Sequence, residues 1–298
     1  MSAKTHALRN ALTGSTITRF MGAHSALSAK LAEEAGFEAV WASGLEISAA
    51  RALPDANILS MAECLEAAAE IAAAVGIPVL ADCDSGFGGV GNVAHMVRSY
   101  ESRGLAGVCI EDKQFPKMNS FVAGNQDLAP IGDFAAKITA AKEARTDENF
   151  VVVARIEAFI SGVGLDEALR RATVYEAAGA DALLIHSKIG SPEEVYSFRE
   201  AYRGELPVIV VPTTYPQVTA EELAEHGFGG VIYANQGLRA SITAMRTVLS
   251  QIGGDGSTYG VEGSIASLKD IFALQNVDDL LARQQRHDEL TATYDALA

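Results

Sequence analysis

Residues 76–112, GIPVLADCDSGFGGVGNVAHMVRSYESRGLAGVCIED, hold the repeating unit of the whole chain. Two short apolar runs, 78–84 and 107–112, each finish on acidic residues. Runs of that length, rich in Val, Ile and Leu, are the pattern of strands buried on both faces. Between them 92–103 has helical period, and Gly104 stands where a left-handed helix end is expected before the next strand. The stretch therefore predicts strand, helix, strand.

The same unit recurs in both directions. Apolar runs occur at 17–23, 39–44, 78–84, 107–112, 150–157, 182–187, 208–213 and 230–235. Helical segments fall at 26–35, 61–75, 92–103, 131–144, 165–178, 192–202, 220–226 and 238–252, and Gly36, Gly76, Gly104, Gly179 and Gly227 are expected as helix caps. Eight strands alternating with eight helices predict an α/β fold, a (β/α)8 TIM-type barrel, over about 15–252. No G-x-x-x-x-G-K-[ST] phosphate loop is present. Residues 253–263 are turn-like, and 264–274 and 277–294 read as two more helices. They predict a C-terminal helical extension, 253–298, within one domain of 1–298, either covering the barrel or packing on another subunit.

Composition agrees. The 298 residues are 49% hydrophobic but only 7% aromatic, which suits helices on buried strands. A formal charge of −15 without a Lys/Arg run argues against nucleic acid and membrane surfaces as partners. Cys64, Cys83 and Cys109 show neither a disulfide framework nor metal spacing. With no visible signal peptide and apolar stretches near ten residues, a cytoplasmic protein is expected.

In such barrels the active site lies at the carboxyl ends of the strands. There the sequence places Trp41, Ser43, Gly44 and Leu45, then Asp82 and Asp84, Glu111, Lys113, Arg155 and Glu157, His186, Thr213 and Asn235. Asp82 and Asp84 alternate along a strand, so their side chains should share a face, with Glu111 on the neighbouring strand. Three clustered carboxylates raise one another's pKa unless a cation neutralises them. An all-oxygen set suits Mg²⁺ or Mn²⁺; the alternative is that Asp82 and Asp84 cap a helix or bond loop amides. Lys113, Lys117, Arg155 and His186 could hold an anionic substrate, or Arg155 could pair with Glu157 and His186 bond to backbone. Trp41 is either a substrate contact or barrel packing, and Ser43–Gly44–Leu45 offers amides and a hydroxyl to a carboxylate.

The stretch 111–120, Glu-Asp-Lys-Gln-Phe-Pro-Lys-Met-Asn-Ser, matches in full the signature Glu-Asp-Lys, five residues, Asn-Ser. By it the chain resembles the phosphoenolpyruvate mutase/isocitrate lyase superfamily, its mutase branch in particular, from about His24 to the last helix. The resemblance implies that Asp82 ligates Mg²⁺ directly, with Asp84 and Glu111 holding its waters. It implies that Ser43, Gly44 and Leu45 bind the substrate carboxylate beside Trp41, and that Arg155 and His186 contact the phosphoryl group. Lys117, Asn119 and Ser120 would ride on a closing lid, Asn119 touching the phosphoryl group, and Asp55 would lie close to the reacting centre. The implied reaction interconverts phosphoenolpyruvate and phosphonopyruvate. The related phosphonopyruvate hydrolase typically has Thr where Asn119 stands, yet 53–61, Leu-Pro-Asp-Ala-Asn-Ile-Leu-Ser-Met, looks more like the hydrolase. The lid controls water, so the mutase is the expected activity. The superfamily's carbon–carbon lyases carry a lid Cys as acid catalyst; Asn119 occupies that position, which argues against cleavage of that kind. A non-catalytic binding barrel would not need this full set of groups. The resemblance also implies a homo-oligomer, a dimer of helix-swapped dimers.

Overall fold

The eight apolar runs form β1 (Thr18–Ala23), β2 (Ala39–Ala42), β3 (Val79–Asp82), β4 (Gly107–Glu111), β5 (Val151–Ile156), β6 (Ala182–Ile185), β7 (Val208–Val210) and β8 (Gly230–Tyr233). All pair in parallel and in order, and β8 closes on β1. These are the features of a (β/α)8 barrel, seen in a computed structural model that describes residues 2–124 and 126–297. Around it run α1 (Ala3–Thr13), α2 (Ala26–Glu34), α3 (Gly44–Ala50), α4 (Met61–Ala74), α5 (Val90–Ser102), α6 (Ile131–Ala144), α7 (Ala158–Ser161), α8 (Gly164–Ala177), α9 (Glu193–Ala201) and α10 (Ala220–Glu225). Then follow α11 (Gln236–Asp255), α12 (Leu268–Leu274) and α13 (Val277–Asp295). The chain divides into two compact units, Met1–Leu238 and Arg239–Ala298. In the second unit Leu268, Phe272, Leu280 and Leu281 stay exposed.

Strand parity positions the site. Trp41, Leu80, Cys109, Val153, Leu184 and Ile209 share the barrel interior, whereas Val40, Val79, Val108 and Val152 pack outward on the helices. Two residues further on, the same inward face carries Ser43, Asp82, Glu111, Arg155, His186 and Val211. The apolar plug thus ends in a polar layer at the carboxyl rim.

Four of the five expected glycine caps hold: Gly36, Gly104, Gly179 and Gly227 have φ between 81° and 97°. Gly76 does not. Val75 already leaves α4 in an extended conformation, and the Gly76 N–H donates to Glu33 Oε1 at 2.8 Å. Gly86, Gly88 and Gly91 have the spacing of a dinucleotide fingerprint, but they follow the third strand of a closed barrel rather than the first of an open sheet. No helix among the described residues is long and apolar enough to cross a membrane.

Helix α1 was not foreseen. Its Leu8 and Leu12 join the interior cluster and close the barrel's amino-terminal end. Asp147 anchors it, accepting the Ser2 N–H at 2.9 Å and the Thr5 hydroxyl at 2.8 Å. Burial opposes ionisation there, but these bonds and the Asn149 N–H hold the carboxyl at about 2, below its usual 3.8. A depressed carboxyl stabilises the fold above its unfolded pKa and loses that contribution as pH falls toward 2. Asp147→Asn should therefore cost about 1 kcal/mol at pH 7. In thermal melts the gap from wild type should shrink at pH 3; a gap independent of pH would contradict the assignment.

Candidate active site

Trp41, Ser43, Leu45, Asp55, Glu111, Lys117, Asn119, Ser120, Arg155 and His186 line one cavity of about 50 Å³ at the carboxyl rim. Gly44, Asp82 and Asp84 stand behind it: the Gly44 N–H donates to Asp82 Oδ2 at 3.3 Å, and Asp84 lies 3.0 Å from Lys117 Nζ. The sequence thus brings together residues from five strand ends and two loops.

The carboxylates group differently from the expected alternation. β3 ends at Asp82, and Asp84 sits beyond it with φ 50°. That turn, rather than pleat, aims Asp84 toward Asn57, whose Nδ2 donates to Asp84 Oδ2 at 2.7 Å. Burial raises the pKa of Asp82, Asp84 and Glu111, that of Asp84 to about 7, and repulsion adds to it, from Asp55 at Asp82, from Asp82, Asp55 and Glu111 at Asp84, and from Glu157 at Glu111. Glu111 Oε1 is buried without a hydrogen-bond partner among the described residues. Asp55, Asp82, Asp84, Glu111 and Glu157 face three basic side chains, Lys113, Lys117 and Arg155. The excess of two negative charges, an orphaned buried oxygen and an all-oxygen donor set fit a divalent cation of the Mg²⁺ type. No three His, Cys, Asp or Glu side chains among the described residues converge as a direct ligand cage. A cation here would take few protein ligands and reach the others through water, as Mg²⁺ commonly does.

Opposite the acids, Glu157 organises the cationic wall. Its Oε1 accepts from Arg155 Nε at 2.6 Å and lies 2.9 Å from His186 Nδ1; its Oε2 accepts the Ser120 hydroxyl at 2.7 Å. Burial would raise this carboxyl, but Arg155 and His186 hold it well below the usual range. Arg155 also reaches Glu111 at 3.3 Å. Burial lowers the His186 pKa against the pull of Glu157, so the imidazole is neutral at pH 7. Lys113 belongs to this structural layer. It is buried, donates to the Met118 carbonyl and the Ser120 hydroxyl, pairs with Glu157 at 3.1 Å, and does not line the cavity.

The loop between β4 and α6 lies over the cavity. Lys117 Nζ pairs with Asp55 at 2.6 Å, and Asn119 Nδ2 donates to the other Asp55 oxygen at 2.7 Å. Burial opposes the Asp55 charge, but Lys117 and Asn119 hold its carboxyl below its ordinary value. Phe121 closes edge-on against His186, with ring centroids 5.6 Å apart. Ser43 caps α3, its hydroxyl oxygen accepting from Glu46 N–H. It remains able to donate its own proton into the cavity.

Sequence reasoning missed Phe121, Asn57 and the central place of Glu157. The first two sit in loops with no spacing signal. Glu157 is visible in the sequence as a rim residue and a partner for Arg155, not as the hub that also holds His186 and Ser120.

Comparison with known proteins identifies the family. Residues 8–253 match the family described as phosphoenolpyruvate phosphomutase. The chain is 46% identical to the phosphonopyruvate hydrolase of Variovorax sp. over 95% of its own length and 99% of that protein's. A crystal structure of phosphoenolpyruvate phosphomutase from Streptomyces platensis superposes with a TM-score of 0.93 at 51% identity, covering 95% of this chain and 98% of that one. A phosphonopyruvate hydrolase complex with oxalate and Mg²⁺ superposes with a TM-score of 0.91 at 45% identity, covering 96% and 99%.

Proposed function

Because this chain belongs to the phosphoenolpyruvate phosphomutase family, within the phosphoenolpyruvate mutase/isocitrate lyase superfamily of enzymes, we propose that it interconverts phosphoenolpyruvate and phosphonopyruvate in phosphonate metabolism. The observation that carries this reading is the lid. Lys117, Asn119 and Ser120 line the cavity and are tied to its floor through Asp55 and Glu157. A phosphoryl group moving between carbon and oxygen of one substrate needs a site closed to water.

Starting from phosphonopyruvate, the bond from phosphorus to C3 breaks and its electron pair stays on carbon as the pyruvate enolate. The enolate oxygen then bonds to phosphorus, and no proton is exchanged. Arg155, His186 and Asn119 hold the metaphosphate-like group while the enolate turns beneath it. Ser43 and the amides of Gly44 and Leu45 hold the carboxylate beside Trp41. Lys117 balances the charge near Asp55. Asp82 would ligate Mg²⁺, or Mn²⁺ in its place, with Asp84 and Glu111 holding its waters. When bound, the cation supplies positive charge to the substrate's oxyanions. The hydrolase complex with oxalate and Mg²⁺ supports this choice.

A second reading rests on 53–61, which looks like the hydrolase and supplies Asp55 and Asn57 to the site. In that reading water captures the phosphoryl group and the enolate takes a proton to give pyruvate. Asn119→Ala separates the two. It should lower total turnover about tenfold and raise the ratio of inorganic phosphate to phosphoenolpyruvate. An unchanged ratio, measured by product assay from phosphonopyruvate and Mg²⁺, would remove the lid as the basis of mutase activity. For assembly, the exposed apolar faces of α12 and α13 support a helix-swapped homo-oligomer.

A further inference from the structure

Behind the cavity lies a second buried polar cluster, none of whose three side chains, Asp112, Arg171 and Tyr175, lines that cavity. Asp112 is fully buried at the end of β4. Its Oδ2 accepts from Arg171 Nη1 at 3.0 Å and from the Tyr175 hydroxyl at 2.8 Å, both on α8. Its Oδ1 accepts the backbone N–H of Glu157 at 2.9 Å. Every charge in the cluster is matched, which is the condition for burying one without large cost.

The connections of this cluster are its informative property. Ala129 is where the loop over the cavity returns to α6, and it is gripped from both sides. Its N–H donates to the Asp112 carbonyl at 2.8 Å, and its carbonyl accepts from Arg171 Nη2 at 3.1 Å. The outgoing end of the loop is Asp112 itself, followed by Lys113, which bridges to Leu128. Both ends of the loop therefore meet at one clamp. The same clamp holds the backbone of Glu157, whose carboxylate fixes Arg155, His186 and the lid residue Ser120.

We propose that Arg171, with Asp112 and Tyr175, is the positioning anchor of the lid, setting where the closed loop sits relative to the Arg155–His186 pair. None of the three touches the reacting atoms. They act through Ala129 and Glu157. The energetics favour a role in precision: a shift of about 1 Å in such a site can cost about a hundredfold in rate while the barrel stays folded. The proposal rests on the lid reading above, so its test needs an arm that does not depend on turnover.

Trp41 provides that arm. It is the single tryptophan of the chain, and it lies nearly buried in the cavity under the loop. Its quenching by acrylamide reports how well the lid seals, with or without activity. The test compares wild type with Tyr175→Phe, Arg171→Leu and Arg171→Lys as full chains. Tyr175→Phe, which removes the hydrogen bond to Asp112 and the one accepted from Arg171, should raise the quenching constant about twofold and lower kcat about threefold to tenfold. KM should change little. Arg171→Leu should seal worse and lose about a hundredfold in kcat, and Arg171→Lys should recover part of both. Variants that melt at lower temperature yet, once folded, show wild-type quenching and kcat would overturn the proposal, leaving a cluster that only braces the fold. If Arg171→Leu does not fold, Tyr175→Phe and Arg171→Lys decide the matter in the same way. If wild type turns over neither substrate, the proposed function fails while the quenching comparison still decides the anchor.

Discussion

Asp82→Asn is expected to abolish cation-dependent turnover, by at least about a thousandfold, while leaving the metal-free protein more stable than wild type. The two effects share one cause. Burial raises the Asp82 pKa, with Asp55 adding repulsion and Lys117 and Arg155 opposing it. A carboxyl raised in the fold is destabilising wherever it is ionised, above its folded pKa, and neutral asparagine removes that penalty. A rise of about 2–4 °C in the metal-free melting temperature is the expected size, corresponding to about 1 kcal/mol. Calorimetric titration with Mg²⁺ should show binding to wild type and none to the variant. The wild-type affinity should weaken as pH falls through about 7, because Asp84 holds its proton up to about 7 in the metal-free protein and binding must displace it. A variant that keeps wild-type Mg²⁺ affinity would refute the ligand assignment.

Arg155→Ala should have the opposite stability signature and an equally large catalytic one. Arg155 is held between Glu157 at 2.6 Å and Glu111 at 3.3 Å. Its removal leaves two buried carboxylates without their main counter-charge, a loss of about 3–5 kcal/mol. That corresponds to a melting temperature lower by about 6–20 °C. Turnover should fall by about a thousandfold or more, since on the proposed reading the phosphoryl group would lose the guanidinium that Arg155 offers in the cavity. Arg155→Lys restores charge but not the fork that serves Glu157, Glu111 and substrate together, so it should recover stability better than rate. Equal rescue of both would mean that the guanidinium geometry is irrelevant.

The ring of strands was legible because parallel strands buried on both faces leave a continuous apolar run, and all eight runs end within a few residues of where the strands do. The rim was legible for a related reason. A polar residue two positions beyond an inward apolar one, as Arg155 after Val153 or His186 after Leu184, has nowhere to go but the top of the barrel. What escaped the sequence lacks periodicity. α1 contributes only Leu8 and Leu12 to the interior, and its face is fixed by the barrel end it closes. α3 falls in a stretch for which the apolar pattern predicts no element, although Ser43 with Glu46 three residues later is a helix-start pattern. The clamp of Arg171 on Asp112 joins residues 59 positions apart and is visible only in three dimensions. Asp84 shows the reverse case, where the right neighbours were foreseen for the wrong reason, since a left-handed turn rather than strand alternation sets its side chain.

On the proposed mutase reading, the closed cavity would pass a phosphoryl group within one substrate and keep water from it. The most direct measurement is ³¹P NMR of phosphonopyruvate incubated with the protein and Mg²⁺ in ¹⁸O-enriched water. The expected result is loss of the phosphonate resonance and growth of a phosphoenolpyruvate resonance whose three terminal phosphoryl oxygens stay unlabelled. Prompt inorganic phosphate carrying ¹⁸O, with pyruvate as co-product, would contradict the mutase assignment and make the protein a hydrolase.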